Sequence, residues 1–502
     1  MFKTLFMKEI RETITTGKFF IATVLCLTLI PLGIYVTLKD YEQRLRDSQN
    51  AENIYQERSQ GHVNATFRAE GYRPPSPLSV FATGLEPFLP NKAVTSRRQR
   101  VFRDPSTNDG IVAVSTTTGL YNPLSVLFGK MDFVFNVGFV LSAFAFLFTF
   151  AGVTAEKEQG TIKLIMSNSV QRWAVLIAKI AGNFIIFLLP FLVSWLTGLL
   201  VLIPSGVFPI SDTGIFTAVL VMLAVAVLFL FCMFTFGILV SSSTHNSITS
   251  IITLLFLWVL FALIIPKLSP MAAQIIRPVE SEDIVNAKIR TIRTSLETEL
   301  NSREDEIFNQ VLGRYGSTLS EFFRGETAAG KTARRKRMEE EYEAEVSPVR
   351  DEYAEKLATE TTRLLREHKN ALGAQQAIAI QLSRLSPICC FTYILTDLAS
   401  TGLLEIDNFT RNAERFQEQV SSELYNRFTY RQYGTGGRYS VGFFNDSGVD
   451  QKTLSVPHMT GYRHIAARDV FSERWTDILL LALYTVLFYA LAFVRFIRYD
   501  VR

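Results

Sequence analysis

The residues that look most ready for chemistry are Gly325, Gly330, Lys331 and Thr332. They fall in the string GETAAGKT (325–332), which matches the phosphate-binding pattern GxxxxGK[ST] letter for letter. That chemistry needs a buried strand before the loop and a helix after it, so that backbone N–H groups converge on phosphate. The preceding LSEFFR (319–324) offers no such strand, and no apolar run ending in Asp or Glu stands ready to hold a metal. The match is therefore read as a coincidence in a loop. Cys389 and Cys390 are adjacent, a spacing at which disulfide geometry strains the intervening peptide. They read as small apolar packing groups. The 5 histidines show no metal-ligand spacing, and no metal site is expected. Asn64, Asn408 and Asn445 open glycosylation patterns that matter only in a eukaryotic secretory pathway.

The elements that would position any site are dominated by apolar blocks. Of 502 residues, 48% are hydrophobic, 12% aromatic (40 of them Phe) and 20% charged, with a net charge of +4. This excludes a disordered chain and a disulfide scaffold, and bulk charge names no nucleic-acid partner. A bilayer core needs roughly 20 apolar residues in a helix. Six stretches qualify: 19–38, 132–153, 174–203, 214–240, 248–266 and 478–494. None has Asp, Glu or Arg in its middle, which argues against a carrier driven by an ion gradient sensed within the spans. Lys179, near the start of the third, is expected to snorkel to the headgroups. Asn136, Asn183 and Ser194 read as helix-to-helix glue.

Lys and Arg flank the spans at 1–18, 154–173 and 495–502, which places these three regions on the cytoplasmic side. Residues 1–18 form an interfacial elbow helix: Phe2, Phe6, Ile10 and Ile14 recur every four residues, with Lys3, Lys8, Glu9, Arg11 and Glu12 opposite. Two large segments then lie outside. Residues 39–131 read as a small mixed α/β subdomain. Residues 267–477 read as a domain built on a long helical hairpin, from the three-and-four spacing of Val285–Val311 and of Met338–Leu364. Pro348 should kink the returning arm. The run 385–404 is broken by Pro387, Asp397 and Gly402, so it is no seventh span but a helix lying on the membrane surface or against the spans. Residues 428–470 read as strands or loops. The fold class is an all-α polytopic membrane protein of six transmembrane helices with these additions.

The remaining signal is the inter-span segment TAEKEQGTIKLIMSNSVQRW (154–173). Charges at 156–158 are followed by a Gly160–Thr161 turn and a short amphipathic element at Ile162, Leu164, Ile165 and Met166. A short helix held out from two spans can seat in a partner's groove and transmit force. The segment resembles that of ABC-2-type transporter permeases, whose pattern runs E-x-G-T-L-x-x-L-L-S-x-P-V-S-R, then apolar residues and G-K. Glu158, Gly160, Thr161, Leu164, Ile165, Ser167, Val170, Arg172 and Lys179 stand in register, with Ser169 in place of Pro and Ala178 in place of Gly. The resemblance covers about 1–40, 130–266 and 476–502. Within the family the chain is similar to permeases grouped with multicopper-enzyme maturation systems, through RPPSPLSV (73–80) and LSPICCF (385–391).

The resemblance implies a permease that performs no catalysis itself. It would work as half of a dimer with a second copy or paralogue, in lipid, most naturally a bacterial inner membrane. ABC ATPase subunits on the cytoplasmic side would bind ATP and Mg; this chain would carry no cofactor. Glu156, Glu158, Gly160, Thr161, Lys163, Leu164 and Arg172 would couple ATP hydrolysis to export. Two alternatives stand beside this reading. One is a mechanical transmitter that moves the outer domain while nothing crosses. The other is a membrane-anchored scaffold or nucleotide enzyme using Lys331. The outer hairpin is also expected to meet a partner outside.

Overall fold

The computed structural model describes residues 2–59, 68–96, 111–114, 130–161, 171–207, 213–315, 328–423, 428–435, 438–445, 459 and 462–498. In chain order the elements are α1 (Phe2–Ile14), α2 (Gly17–Ser59), β1 (Arg68–Tyr72), β2 (Lys92–Ser96), β3 (Ile111–Val114) and α3 (Phe133–Glu158). There follow α4 (Arg172–Leu202), α5 (Thr213–Ser243), α6 (Ser247–Ile276), α7 (Glu282–Tyr315) and α8 (Ala328–Ser383). The last elements are α9 (Pro387–Leu398), α10 (Leu404–Glu423), β4 (Phe428–Thr435), β5 (Arg438–Asn445) and α11 (Ala467–Ile497).

Six of these helices, α2 to α6 and α11, are long and apolar enough to cross a membrane. The two ends of their bundle are called inner and outer here, after the charge bias of the sequence. α2 packs on α4, and α5 packs on α3, α9 and α11. α3 is the innermost span, with 61% of its most apolar stretch buried; α6, at 17%, is the most peripheral. Aromatic rings fill the centre: Phe133 lies 4.6 Å and Phe81 4.9 Å from Trp195, and Phe229 stacks on Phe391 at 4.4 Å.

Hydrophobicity marks where lipid ends, not where a helix ends. α2 runs 43 residues, about 65 Å at 1.5 Å per residue, well past the apolar stretch that stops at 38. Its outer part is charged but keeps helical spacing, with Arg44 pairing Asp40 at 2.9 Å one turn away. α11 and α6 overrun their apolar stretches in the same way. Both α3 and α6 contain a π-helical turn, at Asn136–Leu141 and Leu260–Ile264.

Outside the bundle, segments far apart in sequence form one unit. Strands β1, β2 and β3 make an antiparallel sheet in that order, and α10 lies against it. Ala93, Phe409 and Ala413 are its buried core, with Met459 and Tyr462 alongside. Residues 77–89 bridge this unit to the spans. Thr37 donates to the Val80 carbonyl at 2.6 Å, Phe133 N to the Phe81 carbonyl at 3.1 Å and Leu85 N to the Thr401 carbonyl at 2.8 Å.

α7 and α8 form the hairpin, zipped by buried Ile307, Val311 and Val346 and by ion pairs such as Arg350–Glu304 at 2.6 Å. α8 continues through Pro348 for 56 residues, about 84 Å. Its base packs on the outer extension of α6, and β4 pairs with β5. The broken apolar run becomes α9, twelve residues buried along most of their length against α5 and α11.

Candidate functional site

At the inner end, α3 leaves regular helix and re-forms as Thr154–Glu158. Ser241 of α5 holds this irregular step. Its hydroxyl accepts from Val153 N at 3.1 Å and Thr154 N at 3.3 Å, and donates to the Phe150 carbonyl at 2.9 Å. Three consecutive charges then reach three different elements. Glu156 meets Lys179 of α4 at 2.8 Å. The Lys157 ammonium donates to the Ser242 carbonyl at 2.5 Å and the Thr244 carbonyl at 3.0 Å, where α5 ends with orphan carbonyls. Glu158 accepts from Ser247 N at 2.7 Å and Ser247 Oγ at 2.8 Å, where α6 begins with orphan N–H groups. Successive side chains on a helix point about 100° apart, so three neighbours in sequence can grip three neighbours in space.

Lys179 is the hub. It is 3% exposed and also pairs with Glu9 of α1 at 2.8 Å. The Asn183 amide donates to Glu9 Oε2 at 3.3 Å, and the Thr13 hydroxyl donates to Asn183 Oδ1. Two expectations change here. Lys179 does not snorkel to headgroups, because two carboxylates meet it inside the protein. Glu9 does not sit with the other charges on the outward face of α1; it is buried against α4. Gly182 permits this approach, since an added Cβ would lie only 3.0 Å from Glu9 Cβ. Lys8 stands 3.7 Å from Glu156 at the rim, and Glu156 Oε2 is buried with no hydrogen-bond partner among the described residues.

The other expected coupling residues take simpler places. Gly160 has φ +70, with nothing within 4 Å of an added Cβ, so it serves the backbone turn. The Thr161 hydroxyl donates to the Glu156 carbonyl at 3.4 Å, and Arg172 donates to the Ile497 carbonyl at the end of α11. Lys163 and Leu164 lie outside the described residues. Sequence reasoning passed over Glu9, Lys157, Ser241 and Ser247, and missed the partners of Lys179. The available signal was Lys179 itself, a lone cation at the edge of an apolar stretch, which needs a counter-charge from elsewhere in the chain.

The phosphate-loop letters fall elsewhere. Gly330, Lys331 and Thr332 lie in the first turns of α8, Gly325 is outside the described residues, and the preceding described element is the helix α7. All four cysteines are free and buried, and the described residues hold no group of three or more metal-ligating side chains. Asn408 donates from its amide to the Arg463 carbonyl at 3.1 Å.

Six apolar helices, with a charged inter-span segment held against four of the elements at one end, define a multi-pass α-helical membrane protein. The chain belongs to the ABC-2 family of transporter proteins, whose family model matches residues 3–501. It is thus a transmembrane transporter subunit of the permease type, and membership implies ABC ATPase partners. No curated protein sequence matches the chain.

Proposed function

We propose that this chain is the membrane-spanning permease subunit of an ATP-driven exporter, coupled to separate ATPase subunits through residues 154–161 and the segment that follows. The observation that carries the reading is the grip of Glu156, Lys157 and Glu158 on α4 with α1, on the end of α5 and on the start of α6. A push on this segment acts on four elements together, because each contact is charged and the Glu156 contact is buried. Closure of ATP-bound subunits would supply that push and so change access through the spans. ATP and Mg would stay with those subunits, two copies of the permease or a copy and a paralogue would share the path, and a bacterial inner membrane is the setting. A second reading, that the same drive moves the outer hairpin while nothing crosses, gains support from the Arg384–Asp477 pair, which ties the base of α8 to α11 at 2.7 Å.

The test is affinity purification of the full chain from its own membranes. ATPase subunits should accompany the wild type. Glu158→Gln and Gly160→Val should still insert but lose the coupling of hydrolysis to activity, and Lys331→Ala should behave as wild type. ATP hydrolysis by the purified chain alone, or labelling of Gly160→Cys by an impermeant maleimide from outside the cell, would overturn the reading.

A further inference from the structure

The short helix α9 leans on both π-helical turns of the spans. In α3, Gly138 lies within the turn, and a Cβ there would sit 3.6 Å from Phe391 and 3.7 Å from Ile388 of α9. A π turn puts a carbonyl out of helical register, and here side chains meet those carbonyls. The Ser142 hydroxyl donates to the Gly138 carbonyl at 2.6 Å while accepting from Trp258 Nε1 of α6 at 3.0 Å. In α6, the Phe261 carbonyl accepts from Ser386 Oγ, at the N-terminus of α9, at 2.7 Å.

A chain of charges runs past both ends of α9, in which Asp397, Arg474 and Asp477 are buried and Arg384, just before the helix, is partly exposed. Asp397 near its C-terminus accepts from Arg474 Nε of α11 at 2.5 Å and from Leu404 N at 3.2 Å. Arg474 Nη1 stands 3.6 Å from Asp477, one turn on along α11. Asp477, fully buried, takes a two-pronged pair from Arg384 at 2.7 and 3.0 Å, and Arg384 also donates to Thr476 Oγ1 at 2.9 Å. Arg384 is the residue that follows α8. Breaking one pair would strand a charge away from water, so the four groups move as a unit.

We propose that the outer hairpin is geared to the two π turns through α9, with Arg474 and Asp477 of α11 as the linkage. Displacement of the base of α8 shifts α9 and resets the hinges in α3 and α6 together. Arg384 is a positioning residue in this device. The inference stands whether or not a substrate crosses the membrane, and its test needs no ATPase.

Hydrogen–deuterium exchange of the full chain in lipid nanodiscs reads it directly. Arg384→Gln should raise amide exchange at 136–141 and 260–264 together, by about tenfold, while α2 and α4 keep their protection. Arg384→Lys should restore part of that protection. Ser386→Ala should raise exchange at 260–264 alone. Where Arg384→Gln fails to fold, Thr476→Val, which removes one bond to Arg384, should move the same two segments by less. Exchange unchanged at either π turn, raised evenly through the bundle, or raised at both turns by Ser386→Ala would overturn the proposal.

Discussion

Two of the buried ion clusters, one at the inner end of the spans and one at their outer end, are built on different rules. The inner one gives a single cation, Lys179, to two carboxylates, Glu9 and Glu156, and leaves Glu156 Oε2 buried without a hydrogen bond among the described residues. Among the described residues the second cation paired with Glu156 is Lys8 at the rim, a side chain 43% exposed. The outer one sets two arginines against two aspartates, with a two-pronged pair at its centre. A shared cation keeps one carboxylate partner when the other is neutralised, whereas in the outer set loss of one carboxylate leaves an arginine without its two-pronged partner. The two clusters therefore differ in how many counter-charges each ionised group can reach: Lys179 is shared by Glu9 and Glu156, whereas each aspartate of the outer set meets an arginine.

The largest expected effect tests this contrast. Asp477→Asn should cost about 3–5 kcal/mol, because two arginines lose their shared carboxylate inside the protein. Glu156→Gln should cost only about 1 kcal/mol, since Lys179 keeps its pair with Glu9 and the Gln side chain keeps a hydrogen-bonding group. Thermal unfolding in detergent, followed by tryptophan fluorescence, measures both. Equal losses would break the comparison.

Gly182→Val comes next, at about 1–3 kcal/mol, because a branched side chain forces α1 away from α4. The loss should fall on the inner cluster: a label on α1 should become mobile while one on α9 does not. If both became mobile, the two ends would not be independent.

The smallest effect lies at the end of the hairpin remote from Arg384, where no group of either cluster reaches. Hydrogen bonds from Arg314 and from Tyr315 hold the Glu341 carboxyl below its ordinary range. Such a group stabilises the fold above its unfolded value, and the contribution disappears as pH falls through the lower folded value. Mild acid should thus loosen the hairpin slightly, with proteolysis between α7 and α8 as the measure, and Glu341→Gln should flatten that dependence.

Much of this architecture is legible in the sequence. Six apolar stretches without Asp, Glu or Arg in their middles leave few alternatives, since a backbone in lipid must satisfy its own hydrogen bonds. The Glu158–Gly160–Thr161 register points to the family that the full-length match establishes. The helix ends are less legible: α2 passes its apolar boundary because charged residues favour helix as well as apolar ones do. Partners are the least legible feature. Glu9 reads as one of several outward charges on α1, and only the crossing of α1 over Gly182 turns it toward Lys179. The pairing of Arg384 with Asp477 joins residues 93 positions apart that no local pattern connects.

The sequence by itself determined how many times the chain crosses the membrane and which segments are charged, because transfer of each residue out of water is a local cost. Tertiary structure alone decided which charges are buried together, which span is central and that α9 touches both π turns. Those facts depend on how helices pack side by side, and packing is set by contacts between residues that are remote along the chain.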